Sequence, residues 1–149
     1  MNFAPAPALV VAYGNDLRGD DGAGPATVRE IPADTRCRSL ICHQLTPELA
    51  ETISRYASVI FVDARADLRP GEIRIEILNA GRVLLTHRTT PAALLTWSHR
   101  VYGREPVAFA VGIGGQSFEL GEGLTPAVRQ AACEAARAIE RMLTPPGAP

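Results

Sequence analysis

The segment Gly14-Asn15-Asp16-Leu17-Arg18-Gly19-Asp20-Asp21-Gly22-Ala23-Gly24 packs three carboxylates among four glycines. A further carboxylate, Asp63, follows the apolar run Ser58–Val62, and an imidazole, His87, stands a few residues before Thr90-Pro91. Oxygen and nitrogen donors of this kind suit a divalent metal held with open positions. Acids so placed can also take a proton from an attacking water. Other chemistries are removed by what is missing. All 15 basic residues are arginine, so there is no lysine for a Schiff base, a nucleophile or a P-loop phosphate contact. Cys37, Cys42 and Cys133 have no CxxC spacing, so neither a disulfide framework nor a zinc ribbon is supported. Cys42 has His43 beside it, but neighbours on a strand point to opposite faces, which is a poor arrangement for a thiol and its base.

These donors need a scaffold, and the apolar runs supply one. Leu9–Tyr13 reads as a short buried strand, Pro25–Ile31 as a helix with Pro25 in its first turn, and Arg38–Cys42 as a weaker strand. Pro47–Tyr56 reads as a helix with Thr46 as N-cap. Ser58–Val62 is a continuous run typical of a strand covered on both faces. Glu72–Ile77 alternates strictly after the Pro70-Gly71 turn and so predicts an edge strand. Val83–Leu85 is a brief apolar run before His87. Thr90 and Pro91 predict the cap and first residue of a helix to Tyr102, with Leu94, Leu95, Ser98, Val101 and Tyr102 inward and His99 solvated. Val107–Ile113 is another buried strand. Thr125-Pro126 opens a last helix whose Val128, Ala132, Ala135, Ile139 and Met142 recur at helical spacing, and residues 144–149 read as a frayed tail.

Strands alternating with helices predict one α/β domain over residues 1–149. The expected architecture is a mostly parallel twisted sheet of about five strands with helices on both faces, of phosphorylase/hydrolase-like type. At 46% hydrophobic and 21% charged residues, the composition excludes a disordered or fibrous chain. A net charge of −1, without a basic patch, predicts no binding to nucleic acid or anionic membrane. No apolar run is long enough to span a membrane and no secretory leader is evident, so a cytoplasmic protein is expected.

In open α/β sheets, ligands bind beyond the carboxyl ends of the strands. With parallel strands, the Gly14–Gly24 loop, Asp63, His87 and the Gly112–Gln116 turn would share one rim. A helix start favours charged Asp20 and Asp21, and the field ahead of the Thr90 helix favours a neutral His87 with a free lone pair. Each residue also has a plainer reading. Asp20 or Asp21 could be an N-cap, Asp63 could hold a loop, and His87 could be a surface or packing residue. The glycine-rich loop could cradle a phosphate, though it lacks the GxGxxG order.

Taken together, these segments resemble the hydrogenase maturation protease family over nearly the whole chain. Gly14 to Gly24 is similar to that family's GNxLxxDDGxG signature after the first strand. Phe61-Val62-Asp63-Ala64 followed by Pro70-Gly71, His87–Pro91 leading to Tyr102-Gly103, and Gly112–Gly115 with Gly121–Pro126 resemble its later elements in order. The chain departs from it at Tyr13, where a small aliphatic residue is common, and at His43–Glu48, where some members carry Gly-Gly-Thr.

The resemblance implies an endopeptidase that removes the C-terminal peptide of a nickel-loaded nickel-iron hydrogenase large-subunit precursor. It implies Asp21, Asp63 and His87 as metal-contacting and catalytic residues, nickel carried by the substrate, and no organic cofactor. Asp20 or Asp16 is the expected proton acceptor, and a monomer is expected. Glycines 14, 19, 22 and 24 are expected to let the scissile peptide approach closely. The alternatives are a zinc hydrolase using the same three ligands, a non-catalytic assembly chaperone, and a nucleotide-binding protein using the glycine loop.

Overall fold

The computed structural model describes residues 8–81 and 88–144. Its strands are β1 (Ala8–Tyr13), β2 (Cys37–Cys42), β3 (Ser58–Arg65), β4 (Ile73–Leu78) and β5 (Val107–Gly114). Its helices are α1 (Ala23–Arg29), α2 (Leu49–Ser54), α3 (Pro91–Tyr102) and α4 (Pro126–Leu143), with a 3-10 turn at Gly19–Gly22. The five strands form one sheet in the order β2-β1-β3-β5-β4. Neighbours pair in parallel except β4, which runs antiparallel to β5. The expected α/β sheet of about five strands, mostly parallel, is present.

Alternation along the central strands divides the core in two. Val10, Ile60, Val62, Val111 and Ile113 face the side covered by α1 and α4, where Val28, Val128, Ala135 and Ile139 meet them. Leu9, Val11, Val59 and Phe61 face the other side, against Ile53 of α2 and Leu94 and Leu95 of α3. Burying each large side chain contributes roughly 1.5–3 kcal/mol, so this two-sided layer holds the strand ends in place. β4 is the expected edge strand. Arg74 and Glu76 are exposed, and Ile75 and Ile77 of its apolar set are exposed as well.

Several element ends differ from the sequence reading. α1 begins two residues before Pro25, which still lies among the first positions whose N–H groups have no helical partner. α2 is shorter than Pro47–Tyr56. Glu48 is its N-cap, and Thr46 contributes its carbonyl, to Leu49 N at 3.1 Å, in place of a side-chain cap. Thr90 caps α3 as expected, its hydroxyl accepting from Ala93 N at 3.1 Å. The inner face of α3 holds at Leu94, Leu95 and Ser98, and His99 is exposed. Val101 and Tyr102 are 67% and 45% exposed, so the buried stripe ends one turn early. Thr144 closes α4 through a bond from its N–H to Glu140 O. The Val83–Leu85 run, His87 and residues 145–149 lie outside the described residues.

Strand order also locates the cleft. From β1 the chain passes to β2 on one side, and from β3 it passes to β4 and then to β5 on the other. Connections that diverge in this way leave a crevice above the carboxyl ends of β1 and β3.

Candidate active site

β1 ends at Tyr13, and Gly14 turns the chain out of the sheet with φ 145°. A Cβ there would collide with the backbone oxygen of Asp21, so only glycine lets the loop fold back over the strand end. Asn15 N then donates to Asp21 Oδ2 at 2.6 Å, and Asn15 Oδ1 accepts from Leu17 N at 2.9 Å. Gly24 brings α1 down onto the sheet, since a Cβ would lie 2.6 Å from Val62 O. These close approaches serve the protein's own backbone. At Gly14 and Gly24 the absence of a side chain is required by the protein's own packing.

Asp63 lies on β3 one residue past the Ala12–Val62 pair, and is therefore the lateral neighbour of Tyr13. The Tyr13 hydroxyl donates a hydrogen bond to the Asp63 carboxylate. Burial pushes the Asp63 carboxyl up to about 6, and the negative charge of Asp21 adds to the rise. The Tyr13 bond and the Arg65 charge oppose it. Burial, then the adjacent Asp63 charge, push the Tyr13 phenol far up, so it keeps its proton and stays a donor.

Tyr13, Gly14, Asp21 and Asp63 line one open cleft of about 560 Å³. Its other walls are the His43–Pro47 segment and Arg88 with Thr89, the two residues before the cap of α3. Asp21 and Asp63 thus line the same cleft. His87 lies outside the described residues, directly before Arg88. Among the described residues, no three His, Cys, Asp or Glu side chains form a group able to hold a metal ion. Asp21 and Asp63 offer oxygen donors from two walls, which fits part of a hard or borderline cation's needs.

Asp20 goes elsewhere. Its side chain is fully buried, and its Oδ2 accepts from Gln116 N (2.8 Å), Ser117 N (3.0 Å) and Thr125 Oγ1 (2.8 Å). Oδ1 accepts from Thr125 N at 2.8 Å. Burial alone would raise its pKa, but these bonds outweigh it and hold the carboxyl below its usual range. With its oxygens engaged and no place on the cleft wall, Asp20 ties the Gly19–Gly22 turn to the segment before α4. It is not positioned as a proton acceptor. Thr125 is the N-cap of α4 by position, but its side chain makes no capping bond because Asp20 takes its hydroxyl.

Asp16 also misses the cleft. It pairs with Arg29 at 3.1 Å on the far side of the loop, beside a separate depression lined by Gly19 and Gly22. Cys42 Sγ donates to Ala12 O at 3.8 Å, and burial pushes the thiol up, so it is no activated nucleophile. His43 stands exposed on the cleft lip. Its place one residue past β2, on the same rim, was the signal that could have found it. Tyr13 was marked only as a departure from a motif, and its strand register makes it part of the site.

No protein-family profile and no curated protein sequence matches the chain. Solved structures do. The hydrogenase maturating endopeptidase HybD of Escherichia coli is 25% identical, with a TM-score of 0.71 over 91% of this chain and 93% of that one. The nickel-iron hydrogenase maturation protease HybD of Thermococcus kodakarensis is 22% identical, with a TM-score of 0.71 over 93% and 99% of the two chains. An endopeptidase from Escherichia coli solved in solution is 26% identical, with a TM-score of 0.68 over 91% and 93%.

Fold and site define a small, mostly parallel α/β protein that gathers carboxylates where β1 and β3 part. Over nine tenths of its length the chain shares the fold of these maturation-protease and endopeptidase structures. No helix among the described residues is long and apolar enough to cross a membrane.

Proposed function

We propose that this protein is an endopeptidase that removes the C-terminal peptide of a hydrogenase large-subunit precursor already loaded with nickel. The nickel belongs to the substrate, and Asp21, Asp63 and His87 read it. No organic cofactor takes part. The observation that carries this reading is the meeting of Asp21 and Asp63 on one open cleft, with Asp63 held up at about 6 by burial and by its neighbour's charge.

Two carboxylates facing one space repel, and a divalent cation between them removes that repulsion. A precursor without nickel brings no cation and binds weakly, so cleavage becomes conditional on metal insertion. Oxygen donors and a neutral imidazole are ligands nickel accepts. A water polarised beside the docked cation attacks the scissile carbonyl and passes its proton to a carboxylate that reaches the cleft, which hands it to the leaving amine as the C–N bond breaks. That group is Asp21 or Asp63 rather than Asp16 or Asp20, which face away from it. The substrate class is supported by likeness to structures named as hydrogenase maturation proteases.

The test is to mix the protein with nickel-loaded and nickel-free precursor and follow loss of a C-terminal peptide by mass spectrometry. Cleavage of the loaded form alone is expected. Equal cleavage of both defeats the nickel reading. Binding without cleavage identifies an assembly chaperone, and zinc retained by the purified protein with precursor-independent hydrolysis identifies a zinc enzyme.

A further inference from the structure

Tyr13 and Asp63 sit level with one another on parallel neighbours, because Ala12 pairs with Val62 and each strand continues by one residue. On paired parallel strands, side chains at one level point to the same face. Here that is the α2–α3 face, where Tyr13 packs beside the cluster containing Val11 and Phe61. The phenol ring packs on that cluster, while its hydroxyl is bonded to the Asp63 carboxylate at the cleft wall. A carboxylate bonded on one side by a fixed donor cannot rotate freely. It presents its remaining lone pairs in a set direction.

We propose that Tyr13 is a positioning residue, whose hydroxyl orients Asp63 so that the carboxylate meets the substrate-borne cation in one geometry. The inference rests on the reading of the cleft given above and extends it to a side chain that acts through Asp63. Donors that fix a metal-binding carboxylate or imidazole from behind typically change metal affinity about 10- to 100-fold when removed. Tyr13→Phe deletes only the oxygen and leaves the ring packing in place.

The first measurement uses Zn2+ alone, a spectroscopically silent ion that accepts oxygen and nitrogen donors. Zn2+ titrated into the wild-type protein is expected to perturb tyrosine near-UV absorbance. The other two tyrosines, Tyr56 and Tyr102, do not line the cleft. In Tyr13→Phe that signal is lost and Zn2+ binds about 10- to 100-fold more weakly.

The second measurement uses nickel-loaded precursor. The same variant raises KM by a similar factor with kcat little changed, whereas a merely structural defect lowers the active fraction and hence the apparent kcat. Zn2+ affinity and KM both within twofold of wild type would overturn the role of Tyr13, as would Zn2+ binding by the wild type without any tyrosine signal. Asp21→Asn and Asp63→Asn separate the two levels. If they lose Zn2+ while Tyr13→Phe keeps it, only the positioning role fails. If they bind Zn2+ as the wild type does, or if the wild type does not bind it, the reading of the cleft fails and the positioning role fails with it.

Discussion

Asp20 and Asp21 are neighbours in one 3-10 turn and have opposite destinations. Successive residues in such a turn point about 120° apart, so one carboxylate turns into the protein while the next faces out. Asp20 is fully buried and satisfies three backbone N–H groups and a hydroxyl. Asp21 takes one backbone N–H, from Asn15, and lies on the wall of the cleft with Asp63. The contrast shows how one acidic dipeptide can both close a loop and arm a site. It also shows that a saturated carboxylate holds structure, whereas one with open lone pairs is available for chemistry.

The largest effect that would sharpen this contrast is on stability. Asp20→Ala strands buried donors and is expected to destabilise the fold by about 3–5 kcal/mol, read as a fall in Tm of roughly 10 °C. Because the folded-state pKa of Asp20 is depressed, its contribution is present above the unfolded value and lost as pH falls through the folded one. Acid titration of the wild type should therefore show a loss of stability at low pH that Asp20→Ala lacks. Its absence from the wild type would remove Asp20 as the tie.

Asp21→Asn should instead leave Tm within a few degrees of wild type while lowering processing of loaded precursor by about 100-fold, near 2.7 kcal/mol in the barrier. An Asp21→Asn protein that unfolds, or an Asp20→Asn protein that folds yet cannot process, would erase the distinction.

Asp63→Asn sets function against stability. The carboxyl of Asp63 is raised to about 6 in the folded state, above its ordinary 3.8. The wild type is therefore progressively destabilised as pH rises from about 4 to about 6, and the full penalty persists above that. The variant should be more stable than wild type by roughly 1–3 kcal/mol at pH 8, with the difference vanishing near pH 4. Equal urea midpoints at both pH values would contradict this. The smallest effect belongs to Asp16→Asn. Its exposed pair with Arg29 is worth under about 1 kcal/mol, and processing should be unchanged. A large loss of processing would return Asp16 to the list of proton acceptors.

Much of the scaffold was legible in the residue pattern. Val10–Val11 and Val59–Val62 are buried strands because a sheet covered on both faces needs continuous apolar runs. Glu72–Ile77 lies at the sheet edge, as its alternation predicts, and Thr90 before Pro91 caps a helix by a bond only three residues long. The rim carrying Asp21 and Asp63 followed from strand order, given parallel pairing. The ends of α2 and of the α3 stripe were misread. Local propensity is weak there, and tertiary contacts decide where burial stops.

What the sequence by itself determined was therefore the set of strands and helices and the edge at which polar loops gather, since hydrophobic period and capping act within a few residues. Only the tertiary structure decided which acid of the pair at 20 and 21 faces the cleft, why Thr125 abandons its cap, and that Tyr13 stands beside Asp63. Each of those outcomes rests on a bond or a register between segments distant in the chain, as with Asp20 and Thr125, 105 residues apart. No local pattern encodes such a meeting, because it exists only once the sheet has fixed where the strands end.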